Sequence, residues 1–355
     1  MTEQLLKIEK LLEIVVKENS SDLHLTVGVP PMIRVDGALK PITNAQPLTA
    51  KEVEGLIFSV VDDIQKDILL KDMEVDFSFA FGDVARFRAN AYHQKGNLAL
   101  ALRLIPTEIR SLEELGLPKI TNNFTEFPRG LVLVTGPTGS GKSTTLAAMV
   151  DKINKEKSMH IITVEDPIEY THKNQRSVVE QREVHYDTRS FSAALRSILR
   201  EDPDVVLVGE MRDLETIASA ITIAETGHLV LATLHTNNAA QSIDRMIDVF
   251  PPHQQQQIRV QLSNILQAIV SQRLIPAIGG GRVVASEVMI ATPAVRNIIR
   301  EGKTHQLDAV IQTGAEEGMQ TMDRNLASLV KSGKITMEVA KGYAIDIKEL
   351  ERLVR

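Results

Sequence analysis

Leu131-Val132-Leu133-Val134-Thr135-Gly136-Pro137-Thr138-Gly139-Ser140-Gly141-Lys142-Ser143-Thr144-Thr145-Leu146 decides the fold of this chain. Residues 131–135 are a short continuous apolar run and read as a buried strand. Residues 136–143 fit the pattern G-x-x-x-x-G-K-[ST]. Ser143 to Val150 reads as the start of a helix. The glycines let backbone N–H groups close around phosphate oxygens, and the new helix adds the positive end of its dipole. The chemistry therefore assigns Gly136, Pro137, Thr138, Gly139, Ser140, Gly141, Lys142, Ser143 and Thr144 to a bound nucleotide. Lys142 reaches the β- and γ-phosphates, and the Ser143 hydroxyl is the expected Mg²⁺ ligand.

Downstream of this loop, short apolar runs at 131–135, 160–164, 204–208 and 228–234 alternate with helical stretches. Continuous runs suit a parallel sheet covered on both faces. Residues 273–278 and 282–289 flank Gly279-Gly280-Gly281 and predict a hairpin, and the chain beyond Pro293 reads as helical to Arg355. Pro251-Pro252 and the Gln254–Gln257 run open an amphipathic helix carrying Ile258, Leu262, Ile265, Leu266 and Ile269, with the glutamines as its solvated first turn.

Upstream the pattern changes. Residues 3–18 have helical spacing at Leu5, Leu6, Ile8, Leu11, Leu12, Ile14 and Val15. Residues 22–105 alternate with period two, as at Val75/Phe77/Phe79/Phe81 and Leu98/Leu100/Leu102/Leu104, with a helical insert from Thr49 to Leu70. The reading is a small α+β domain with an antiparallel sheet over residues 1–105, a linker at 106–118 and an α/β domain at 119–355, whose residues 293–355 are helical.

Composition narrows the function. The 355 residues include no Cys, which excludes disulfides, Cys-ligated zinc, iron–sulfur clusters and thiol catalysis. A net charge of −6, 4% aromatic residues and no Trp argue against a nucleic-acid partner. The residues after Met1 show no basic region followed by a long apolar run, so a cytoplasmic protein is expected, acting at membranes through partners.

Ligands of wound parallel sheets sit beyond the carboxyl ends of the strands. Three polar clusters fall there: Glu165-Asp166-Pro167-Ile168-Glu169, Gly209-Glu210-Met211-Arg212-Asp213 and His235-Thr236-Asn237. Glu210 is the choice for polarising the attacking water. It follows a Walker-B-like run in which Gly209 replaces the usual Asp, so Glu210 or Glu165 supports Mg²⁺ instead. His228 and His235 lie seven apart and face opposite sides of a straight strand, which leaves His235 as the candidate sensor. Arg196 and Arg200 share one helical face, solvated, ion-paired or at a subunit boundary.

These motifs together resemble the type II/IV secretion ATPases. Val164–Glu169 is similar to their acidic "Asp box", Arg200–Asp213 to their atypical Walker B, and Thr226–Thr236 to their "His box". Ser21-Asp22-Leu23-His24-Leu25 and Arg34-Val35-Asp36-Gly37 match as well. Within the family the chain resembles the retraction branch of type IV pili more than the assembly ATPase PilB or the secretion ATPase GspE. It lacks their extra amino-terminal domain and tetracysteine motif, and Ala294-Val295-Arg296-Asn297-Ile298-Ile299 is similar to the retraction-associated AIRNLI motif, departing at Val295 and Ile298.

The resemblance implies a PAS-like amino-terminal domain, a RecA-like ATPase domain with a helical carboxyl-terminal region, ATP and Mg²⁺, and a homohexameric ring at the cytoplasmic face of the inner membrane. It implies the platform protein PilC as partner, engaged through Ala294, Val295, Arg296, Asn297, Ile298 and Ile299. The paralogue PilU is a second candidate partner, and its own pattern is hard to separate from this one. It also implies phosphate-reaching arginines at Arg88 and Arg103, which the residue pattern alone reads as strand-borne surface arginines. The rival readings are an assembly or secretion ATPase, a RecA-type nucleic-acid translocase and a nucleotide-regulated scaffold without turnover.

Overall fold

The computed structural model describes residues 7–355 except 19, 36, 83, 106 and 107. Leu5, Leu6, Asp36 and Pro106, used in the sequence readings above, lie outside the described residues. The chain forms two compact units that divide between Glu108 and Ile109.

The first unit contains α1 (Ile8–Lys17), β1 (Asp22–Leu25), β2 (Met32–Val35), β3 (Ala38–Pro41), α2 (Ala50–Phe58), α3 (Asp63–Asp72), β4 (Glu74–Phe81), β5 (Ala85–Gln94) and β6 (Asn97–Ile105). Its strands form one antiparallel sheet ordered β3-β2-β1-β6-β5-β4. Period-two alternation buries Ala85, Phe87, Ala89 and Ala91 of β5 and turns Arg86, Arg88 and Asn90 to the opposite face. Leu11, Leu12 and Val15 of α1 and Val53 and Ile57 of α2 cover the apolar face. The helical insert is two helices. Thr49 with Glu52 and Asp62 with Gln65 each form a capping box, so the chain restarts its helix at Asp62.

The second unit contains β7 (Gly130–Thr135), α4 (Lys142–Glu156), β8 (His160–Glu165), β9 (Val178–Glu183), α5 (Phe191–Ile198), β10 (Val205–Val208), α6 (Leu214–Glu225), β11 (Leu229–Leu234), α7 (Ala239–Asp248), α8 (Pro252–Ile265), β12 (Leu266–Pro276) and β13 (Arg282–Ile290), then α9 (Pro293–Glu301), α10 (Leu307–Thr313), α11 (Met322–Lys331), α12 (Met337–Tyr343) and α13 (Ile347–Val354). The sheet order is β13-β12-β7-β11-β10-β8-β9, parallel except for the β12–β13 hairpin. Leu131 and Leu133 of β7 pack in a core with α5 to α10, while Val132 and Val134 pack against Leu146, Met149 and Val150 of α4. Burial on both faces is why these strands read as unbroken apolar runs.

Two expectations change here, and one strand goes unread in the sequence. The predicted helix through Ile269 ends at Ile265, and Leu266 and Ile269 belong to β12. A register shift between Leu266 and Ala268 bulges the strand there, and Leu266 and Ile269 enter the same core despite their odd spacing. That bulge makes a strand mimic helical periodicity. The segment read as a linker is packed from Ile109 onward, with Leu112 and Leu117 buried beside Phe124 and β7. The edge strand β9 (Val-Val-Glu-Gln-Arg-Glu) has too little apolar alternation to be read from sequence.

Candidate functional site

The phosphate loop spans Thr135 at the end of β7 to Lys142 at the start of α4. Gly136 (φ 145°), Gly139 (77°) and Gly141 (89°) all lie at positive φ, where side chains strain the backbone. No side chain caps α4, so its first N–H groups face the loop. The Ser140 hydroxyl is buried without a hydrogen-bond partner. Lys142 donates to Gly136 O at 2.9 Å and Pro137 O at 3.1 Å. Burial pushes its ammonium pKa down, against the opposing pull of Glu210 and Glu169. Free helix N–H groups, an unsatisfied hydroxyl and a desolvated ammonium form a cradle that fits a polyphosphate.

From behind, Gln272 on β12 locks the loop. Its amide donates to Ser140 O at 2.8 Å, and its carbonyl accepts from Thr145 Oγ1 at 2.9 Å. Thr144 Oγ1 lies 2.9 Å from the Tyr170 hydroxyl. The sequence reading missed Gln272 and Tyr170. Gln272 is 1% exposed, and a polar residue inside an apolar strand was its only signal.

The three predicted strand-end clusters do converge. Leu133, Ala232, Val208 and Val164 stand side by side in register, so Glu165, Glu210 and His235 all leave the same sheet edge as the loop. His235 Nε2 lies 3.1 Å from Glu210 Oε1, and His235 Nδ1 lies 3.5 Å from Thr138 Oγ1. Arg212 Nη2 donates to Glu210 Oε2 at 2.7 Å. Burial pushes the Glu210 carboxyl up, but Arg212 and His235 outweigh it and hold the group below the ordinary Glu value. Glu165 differs. It accepts Thr163 Oγ1 at 2.6 Å, Gln181 Nε2 at 3.2 Å and Glu169 N–H at 3.4 Å, and burial raises its pKa. His228 sits at the other end of β11, with Nδ1 3.0 Å from Ile223 O.

Gly209 explains the atypical Walker B. A Cβ there would meet Val164 O at 3.2 Å and Glu165 Cα at 3.3 Å, both on the adjacent strand backbone. Gly209→Asp, which restores the usual carboxylate, is therefore expected to lower stability by about 2 kcal/mol and to slow turnover by displacing Glu165 and Glu210. Urea unfolding and ATPase assays check this; turnover at or above the parent rate would contradict it.

Arg88 and Arg103 are directly paired across β5 and β6 on the polar face of the first unit's sheet. In the Ala294–Ile299 segment, Val295, Ile298 and Ile299 are buried in the core. Arg296 donates to Ser263 O at 2.7 Å and Asn264 O at 2.9 Å, capping the end of α8. Ala294 and Asn297 are the exposed members. Arg196, on α5, pairs with Glu215 at 3.2 Å.

A family model described as "Type II/IV secretion system protein" matches residues 2–280. The chain belongs to this family. It is 54% identical over 337 residues to the type IV pilus retraction ATPase PilT of Pseudomonas aeruginosa, covering 95% of this chain and 98% of that protein. It is 53% identical over 315 residues to a twitching motility protein of Neisseria gonorrhoeae, covering 88% and 84%. A crystal structure of the pilus retraction motor PilT with bound ADP superposes with a TM-score of 0.92 at 50% identity, covering 98% of this chain and 99% of that one. Family membership makes the chain a P-loop ATPase with an amino-terminal domain ahead of its ATPase domain. None of its described helices is long and apolar enough to cross a membrane.

One buried carboxyl lies just outside this family's motifs. Glu287 on β13 accepts the Ala239 N–H at 2.8 Å, at the start of α7 behind the His235 loop. Burial, reinforced by Asp308 and Asp323, raises its pKa from 4.5 to about 7. The folded state therefore binds this proton more tightly than the unfolded chain. The stabilisation is complete below pH 4.5 and is lost as pH rises to about 7, a loss on the order of 3 kcal/mol. Glu287→Gln is expected to remove that slope. Urea midpoints of both proteins between pH 5 and 7.5 test it, and parallel curves would sink it.

Proposed function

We propose that this chain is an ATP-hydrolysing motor that powers type IV pilus retraction as a homohexameric ring. Likeness along nearly the whole chain to a pilus retraction ATPase supports the reading, together with a phosphate loop that adjoins Glu210 through His235. In this reading the phosphate loop and Lys142 hold the triphosphate. Glu210, kept anionic by Arg212 and His235, orients the attacking water, and His235 links that carboxylate to Thr138 of the loop. Glu165, already bonded at both oxygens, positions the strand end. Mg²⁺, for which Ser143 is the candidate protein ligand and Glu210 the candidate supporting carboxylate, supplies charge neutralisation at the phosphates. A cavity of about 180 Å³, lined by Gly141, Thr144, Thr145, Leu117 and Leu274, is suited to the base. Arg88 and Arg103 reach the phosphates of the bound nucleotide.

The ring works at the cytoplasmic face of the inner membrane. It turns the platform protein PilC through Ala294 and Asn297, with PilU as a further partner. Deleting the gene in its source organism is expected to leave excess surface pili; loss of all pili would instead indicate an assembly motor. Asn297→Ala is expected to abolish retraction while ATPase stays within about twofold, because Asn297 is exposed and its amide bonds only Glu301 of its own helix among the hydrogen bonds seen. Arg296→Ala is a poorer test, since it also uncaps α8.

A further inference from the structure

The polar face of the first unit's sheet carries a row of charges set by register. Ser78 of β4 stands opposite Arg88 of β5, Arg88 opposite Arg103 of β6, Arg103 opposite Asp22 of β1, and Asp22 opposite Arg34 of β2. Two guanidiniums directly opposite each other repel. Asp22 lies within the same row. Its Oδ1 is 3.0 Å from Arg103 Nε, and its Oδ2 is 3.6 Å from Arg34 Nε and accepts the Ser21 hydroxyl at 2.8 Å. The Asp22 side chain is 13% exposed and the Arg103 side chain 70%.

The nitrogen used matters. Arg103 meets Asp22 through Nε, at the base of the guanidinium. A carboxylate held there fixes the plane of the group and leaves the Nη1–Nη2 edge for another ligand. That edge is the fork that binds a phosphate with two parallel hydrogen bonds. An open guanidinium edge carries positive charge, so an anion is the ligand it suits.

We propose that Asp22 is a positioning residue that aims Arg103 at a phosphate group of a bound nucleotide. The proposal rests on the role given to Arg103 above. Asp22 touches no substrate; it fixes the guanidinium before the nucleotide arrives, so the arginine loses less freedom as charge develops on the phosphate.

The test compares the full-length protein with Asp22→Ala, Asp22→Asn, Arg103→Ala and the Asp22→Ala/Arg103→Ala double variant. It reads kcat and KM for ATP, ADP affinity and thermal midpoint. Arg103→Ala should lower kcat about 100-fold. Asp22→Ala should lower kcat about 10-fold, with KM and ADP affinity within about twofold. Asp22→Asn, which keeps an acceptor oxygen, should recover most of that loss, and the double variant should be no slower than Arg103→Ala. An Asp22→Ala protein at or above the parent kcat, beside a slow Arg103→Ala, overturns the proposal and leaves the arginine reading intact. So does a double variant whose losses multiply, or a kcat loss that Asp22→Asn repeats in full with a lowered thermal midpoint. Arg103→Ala at the parent rate overturns the arginine reading itself.

Discussion

Glu210→Gln should lower steady-state ATPase by about 10³-fold while ADP and ATP still bind with near-parent affinity. The substitution keeps the size of the side chain and both of its oxygen or nitrogen positions, but removes the charge. In the folded protein Glu210 Oε2 accepts from Arg212 at 2.7 Å and Oε1 faces His235 Nε2 at 3.1 Å, so two cationic or polar partners hold it as the carboxylate. Nucleotide binding draws on other groups: the backbone of residues 136–141, Lys142 and the start of α4. Chemistry and binding should therefore separate. Single-turnover hydrolysis beside a fluorescent-nucleotide titration measures both. Turnover surviving in Glu210→Gln would move the water-orienting role to Glu165, the other carboxylate at the same sheet edge.

The second large effect is expected from one methyl group. Gly136→Ala places a Cβ 2.3 Å from Gln272 O and 2.6 Å from Ser140 Oγ, at a φ of 145° that side chains rarely adopt. Neither neighbour yields readily. The Gln272 carbonyl belongs to a buried strand, and Ser140 is fixed by the Gln272 amide on its own carbonyl. The loop must open at its first residue, and the N–H groups around the phosphates lose their common focus. Nucleotide affinity should fall at least about 100-fold, with a stability loss of about 3 kcal/mol. Titration with a fluorescent ADP analogue and urea unfolding read the two effects. Affinity within threefold of the parent would show that the loop relaxes around the methyl group, contrary to this expectation.

Much of the site was legible in the residues, because its chemistry is local. Gly136 to Ser143 is a contiguous loop whose glycines and lysine are dictated by backbone geometry and charge. Glu165, Glu210 and His235 could be picked out because each follows an apolar run, and a parallel sheet sends all such ends to one edge. Gln272, Tyr170, Gln181 and Asp22 could not be assigned this way. Each acts on a partner remote in sequence, such as Gln272 on Ser140 or Asp22 on Arg103, and no local period records such a pairing.

The sequence by itself determined the two-unit order, the antiparallel and then parallel strand character, and the phosphate loop, since hydrophobic period and glycine placement are properties of neighbouring residues. Tertiary structure alone decided three further things. It ended the helix at Ile265 and bulged β12, because pairing with β7 satisfies backbone groups that helical periodicity cannot count. It tied Arg296 to the end of α8 as a cap and left Asn297 exposed. And it made Glu210 the ionised carboxylate and Glu165 the one with a raised pKa, because that choice depends on which side chains the fold brings within about 3 Å of each.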